Sequence, residues 1–148
     1  MKQAKWLVAL LGLAAATQAL AADPVVTTSD GAVRGTVKGP VEAFLGIAYA
    51  APPVGAARWR DPGAVTPWQG ERDASHFGPG CQQAIAGAWG PYSAEFIAAP
   101  PVSEDCLSLN VWKPVGKRAG LPVLVFIHGG GFGGGSSAVP AYDGAKLA

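Results

Sequence analysis

Leu121-Pro122-Val123-Leu124-Val125-Phe126-Ile127 is an unbroken apolar run that passes directly into His128-Gly129-Gly130-Gly131-Phe132. A run rich in β-branched and aromatic residues, bounded by Pro122 and by glycines, predicts a strand over 123–127 buried on both faces. Parallel strands carry ligand sites at their C-terminal ends, and glycines there let backbone N–H groups approach a substrate oxygen. The junction therefore reads as one half of an active site. A strand of this kind left without a neighbour would be an unpaired apolar edge, a template for aggregation.

The first residues stand apart from any fold. Lys2 and Lys5 precede an apolar stretch from Trp6 to Ala16, followed by Ala19-Leu20-Ala21, which is the pattern of a secretory signal cleaved after Ala21. The apolar core is about a dozen residues, short of the roughly 20 that a spanning helix needs, so no stable membrane anchor is expected. No Arg-Arg pair precedes it, which favours the general secretory route, and the short Lys-bearing form resembles a bacterial signal. The expected location is periplasmic or secreted. Removing Lys2 and Lys5 takes the formal charge from +1 to −1, and no basic run remains to bind nucleic acid.

Two cysteines, Cys81 and Cys106, stand in a chain routed to an oxidising compartment, so a disulfide between them is expected over a pair of free thiols. Closing that loop would remove about 3.5 kcal/mol of unfolded-chain entropy. A metal site is not supported, because His76 and His128 lie far from the cysteines in sequence and no Cys-x-x-Cys spacing occurs.

Alternating segments at 25–28 and 32–38 around Asp30-Gly31 predict an antiparallel hairpin, with a third strand at 41–49. Region 51–102 is dense in proline and glycine and predicts an irregular surface layer. Strands at 107–112 and 123–127 follow, and Leu109, Val111 and their neighbours suit a partly buried strand. No internal repeat or low-complexity linker marks a second domain.

Spacing separates the chemistries open to the glycine stretch. Gly129, Gly131 and Gly134 satisfy G-x-G-x-x-G, but Gly135-Ser136-Ser137-Ala138-Val139-Pro140 continues as loop where a dinucleotide site needs a helix. A phosphate-binding Walker loop fails because no lysine follows. Ser136 lies too far beyond the strand for a nucleophile elbow, and Ala138 stands where that motif ends in glycine. An oxyanion hole fits: consecutive glycines present N–H groups to a developing alkoxide without side-chain obstruction. H-G-G-G after a strand is the esterase and lipase form of this device.

Ordered blocks extend the pattern along the chain. They are Phe44-Leu45-Gly46-Ile47-Ala48-Tyr49-Ala50, Pro52-Pro53-Val54-Gly55, Arg58-Trp59, Trp68, Gly70, Asp73-Ala74, Phe77-Gly78-Pro79 and Cys81-Gln82. Then follow Ser103-Glu104-Asp105-Cys106-Leu107-Ser108-Leu109-Asn110-Val111 and Tyr142-Asp143-Gly144. With these blocks the chain resembles the N-terminal part of a type-B carboxylesterase, the family that includes the cholinesterases; the longest block resembles its E-D-C-L-x-L-N signature.

The resemblance implies an α/β-hydrolase fold, of which 22–148 supplies the N-terminal strands and the start of the central, mainly parallel sheet: an incomplete domain. It implies a serine esterase acting on small-molecule carboxylic esters without a cofactor, with Gly130 and Gly131 as oxyanion N–H donors and Gly129 supporting their turn. His128 would support that turn instead of acting as base, and His76 would be an ordinary surface histidine. Cys81 and Cys106 correspond to the family's first disulfide loop, within which Trp89, Tyr92 and Phe96 either line a pocket or anchor the loop, the anchor being favoured. Arg58 and Glu104 fall where the family has a structural ion pair, expected to be largely buried. No serine nucleophile, acid or histidine base of the family order is found in 22–148, so the isolated chain is expected to be inactive. The competing expectations are a non-catalytic cholinesterase-like binding or adhesion module and a degenerate truncated product.

Overall fold

The computed structural model describes residues 22–85, 87, 91–116 and 119–148. The expected signal, 1–21, and Trp89 lie outside them.

Thr28 fixes the first turn. Its hydroxyl donates to the Gly31 carbonyl at 2.8 Å and accepts from the N–H groups of Asp30 and Gly31, a side-chain turn of the kind that competes with regular structure. This closes an antiparallel hairpin between β1 (Val25–Thr27) and β2 (Ala32–Arg34), with Val25 opposite Arg34. The expected second strand, 32–38, divides at Gly35. A Cβ there would press to 2.7 Å from the Phe44 ring, so the glycine lets the chain cross closely over its neighbour. Beyond it β3 (Thr36–Lys38) pairs with β4 (Val41–Ala48) instead of continuing the first sheet.

Two three-stranded sheets result, in the orders β1-β2-β5 and β3-β4-β8. Here β5 (Glu71–Asp73) runs parallel to β2, and β8 (Ser108–Pro114) runs antiparallel to β4. Val33, Phe44 and Ala74 form the buried core between them, with Ile47 and Trp68 packed against it. Phe44, 3 % exposed, is the largest of the three buried side chains; full burial of such a ring stabilises by roughly 1.5–3 kcal/mol.

The β4–β8 register shifts between Phe44 and Ile47. Inside this bulge Gly46 sits at φ +70°, and a Cβ on it would meet the His76 carbonyl at 2.6 Å. The bulge turns the Leu45 N–H away from β8 to donate to the Ala74 carbonyl at 2.8 Å, which joins the second sheet to the end of β5. The described residues of 51–102 are irregular apart from β5, two 3₁₀ turns at Gly55–Ala57 and Ala94–Phe96, and a small parallel ladder between β6 (Gly80–Cys81) and β7 (Val102–Ser103).

The expectation for 123–127 is corrected. Residues 123–127 form no strand: their backbone joins no ladder, and Val123, Leu124, Val125, Phe126 and Ile127 are 87, 75, 77, 63 and 86 % exposed. The run has two apolar faces, but no described strand lies alongside to take its N–H and C=O groups. The partly buried strand expected at 107–112 is found as β8. Leu109 and Val111 are about two-fifths exposed, whereas Ser108, Asn110 and Trp112 turn inward.

Among the described residues there is no α-helix, and no helix is long and apolar enough to cross a membrane.

Candidate active site

The glycine loop bends by leaving ordinary backbone space. Gly130 and Gly131 sit at φ +139° and +57°, Phe132 at +58° and Gly135 at +115°. A β-turn closes where the Gly133 N–H donates to the Gly130 carbonyl at 3.0 Å. A Cβ on Gly130 would collide with the Gly134 carbonyl, while one on Gly131 meets nothing within 4 Å. Space therefore demands glycine at the first position, and the left-handed φ favours it at the second.

The N–H groups of Gly130 and Gly131 donate no hydrogen bond among the described residues. Both glycines are exposed. His128 turns back on the same loop, with Nδ1 2.9 Å from the Gly129 carbonyl. An acceptor at that distance assigns the proton to Nδ1.

Two amides found on no functional reading of the sequence hold the far side of the loop. Gln83 pairs with Gly135 at two points: Oε1 accepts the Gly135 N–H at 2.8 Å and Nε2 donates to the Gly135 carbonyl at 2.8 Å. Its other Nε2 hydrogen goes to the Cys81 carbonyl at 3.0 Å. Asn110 accepts the Gly46 N–H at 2.9 Å and donates to the Ser137 carbonyl at 3.2 Å, so it ties the β4 bulge to the loop. Asn110 was visible as part of a signature, without a role; Gln83 had no signal beyond its place two residues after Cys81.

The signature block is a staple to four separate segments. Glu104 meets Arg58 at 2.6 Å, Cys106 forms the disulfide with Cys81, Ser108 packs on Gly78, and Asn110 spans Gly46 and Ser137. The Arg58–Glu104 pair differs from expectation in its surroundings, because the two side chains are 55 and 38 % exposed. Hydrogen bonding to Glu104, and then its charge, push the Arg58 guanidinium above its usual value, but solvent screens such a pair.

The remaining candidates make no hydrogen bond to Gly129, Gly130 or Gly131 among the described residues. Tyr92 and Phe96 face each other edge-on at 6.3 Å, each 46 % exposed. Ser75, His76 and Asp73 imitate a hydrolytic triad, yet Ser75 Oγ at 2.7 Å and Asp73 Oδ2 at 3.2 Å both address Nδ1 of His76. A relay needs opposite ring nitrogens, so this cluster is a surface turn. Its hydrogen bonds from Ser75 and then His76 hold the Asp73 carboxyl below its usual range. Ser136 is buried, and its Oγ accepts the Ala138 N–H at 3.1 Å, an arrangement that fixes the loop.

A model of the carboxylesterase family matches residues 22–148. The chain is 51 % identical over 123 residues to a fumonisin B1 esterase of Sphingopyxis macrogoltabida, an alignment covering 82 % of this chain and 21 % of that protein. It is 42 % identical over 132 residues to a cholinesterase of Mus musculus, covering 85 % and 22 %. It is 40 % identical over 119 residues to a phenmedipham hydrolase of Pseudarthrobacter oxydans, covering 80 % and 24 %. The chain thus spans about a fifth to a quarter of the length of these relatives.

Proposed function

This chain belongs to the carboxylesterase family, and from that premise we propose that it supplies the oxyanion-stabilising part of a carboxylic ester hydrolase. In this reading residues 22–148 are the N-terminal portion of an α/β-hydrolase domain, preceded by a secretory signal, and the protein acts in the periplasm or outside the cell. The disulfide between Cys81 and Cys106 suits such a compartment.

One observation carries the chemistry: two successive N–H groups, of Gly130 and Gly131, have no partner among the described residues, in a turn that favours glycine. When a serine attacks an ester carbonyl, negative charge gathers on the former carbonyl oxygen, and a pre-oriented donor stabilises that charge by roughly 3 kcal/mol. Gly129 and His128 shape the turn, and a bulky residue at Gly130 would displace it through the Gly134 carbonyl. The serine, acid and histidine base would come from residues outside 22–148, so the 148-residue chain by itself is inactive in this proposal.

The test compares the full-length gene product with the 148-residue chain on p-nitrophenyl butyrate. Saturable hydrolysis by the former, lost on serine modification and lowered about 10²-fold in kcat by Gly130→Ala, supports the reading. Saturable hydrolysis by the 148-residue chain, or full activity of Gly130→Ala, sinks it.

A further inference from the structure

We propose that Gln83 is a positioning residue for the oxyanion turn, coupling the disulfide loop to the backbone of Gly130 and Gly131. The inference rests on the oxyanion reading above. The Gln83 carboxamide is fully used: its oxygen takes the Gly135 N–H, one Nε2 hydrogen takes the Gly135 carbonyl, and the other takes the Cys81 carbonyl. A carboxamide with every hydrogen engaged has one orientation, unlike a side chain held at a single point.

What it grips is the hinge of the turn. Gly135 sits at φ +115°, and a Cβ there would lie 2.5 Å from the Gly129 carbonyl and 2.8 Å from His128 Nδ1. The backbone of Gly135 is thus stacked directly on the two residues that enter the turn. The same stacking places Gly134 and Gly135 against Gly130. Gly130, Gly131 and Phe132 are themselves exposed, and no described ladder holds residues 123–127. The turn is therefore fixed from behind, through Gly135, by a side chain anchored beside Cys81. The chemical consequence is orientation: Gln83 touches no reacting atom, but it sets where the two donors point.

Glycine-selective ¹⁵N NMR of the 148-residue chain tests the coupling directly. Gln83→Met keeps the volume and removes all three hydrogen bonds; Gln83→Glu keeps the acceptor and loses the donors. Met should speed exchange of the Gly135 N–H about tenfold and move the Gly130 and Gly131 resonances, with Glu restoring the Gly135 protection. Unmoved Gly130 and Gly131 resonances overturn the inference. Should Met unfold the chain, as dispersal lost at Gly39 and Gly46 would reveal, the Glu variant decides by the same two resonances.

In the full-length enzyme, Met should lower kcat about 10²-fold with KM unchanged within about twofold. Equal losses of kcat and of titratable active sites would mean fewer folded molecules and overturn positioning. A wild-type enzyme that hydrolyses no ester sinks the oxyanion reading alone and leaves the NMR result to judge Gln83.

Discussion

The paired sheets and the glycine loop are built on opposite logics. Around β4 a modest amount of apolar surface is well used: Phe44 sits in a core with Val33 and Ala74, between strands that satisfy its backbone on both sides. Residues 121–132 carry the most apolar stretch of 22–148, yet apart from the Phe126 ring on Tyr142 their side chains are largely exposed and their backbone has no ladder. Apolarity gives a segment the capacity to be buried; a strand also needs a partner for its N–H and C=O groups. The candidate site lies on the second kind of segment, met by one side-chain amide from the paired sheets, Asn110, and one from beside the disulfide, Gln83.

The largest expected effect measures that contrast. Phe44→Ala should destabilise by about 3–5 kcal/mol in urea unfolding, since it empties the core between the sheets. Val125→Ala, on a side chain 77 % exposed, should change stability by less than about 0.5 kcal/mol. Comparable effects at the two positions would mean that 123–127 is buried in solution and would erase the distinction.

Joining the two regions takes covalent and polar links, which rank next. Replacing Cys81 and Cys106 together with serine should cost about 2–4 kcal/mol, read as the shift of the urea midpoint between the variant and the oxidised wild type. Asn110→Ala leaves the Gly46 N–H and the Ser137 carbonyl without their shared partner, at a cost of about 1–3 kcal/mol. The sharper readout is location. Faster amide exchange should reach Gly46 in the bulge as well as the loop, and exchange confined to one side would show that Asn110 does not link them.

The sequence was most legible where a local rule fixes the outcome. Asp30-Gly31 with alternating flanks announced the first hairpin, and oxidising context announced the Cys81–Cys106 bond. The glycines after His128 announced a special backbone, and four positive φ values lie between Gly130 and Gly135. Gly35 was illegible as the end of β2 because its meaning comes from Phe44, nine residues on. Gln83 was illegible for the same reason at greater range: its partner Gly135 is 52 positions away. The strand at 107–112 was legible, but the inward turn of Asn110 was not, because its two partners, Gly46 and Ser137, lie far off in sequence.

The smallest effect distinguishes the regions by charge. Glu42 in β4 and Lys113 in β8 stand opposite each other, with carboxylate and ammonium 2.6 Å apart and the Glu42 side chain 13 % exposed. The Lys113 hydrogen bond, opposed by burial and helped by the Gly116 N–H, holds the Glu42 carboxyl below its ordinary value of 4.5. A depressed folded pKa contributes stability that is complete above the unfolded value and disappears as pH falls through the folded one. Melting temperature should therefore drop as pH is lowered below about 4.5, by an amount corresponding to roughly 0.5 kcal/mol for a cross-strand pair still screened by solvent at its Lys113 end. Glu42→Gln should flatten that part of the acid limb while leaving the Gly130 and Gly131 amide resonances in place. An acid limb of unchanged slope in the variant would remove this pair from the account, and a shift of the two glycine resonances would show the regions to be coupled through β4 as well as through Gln83 and Asn110.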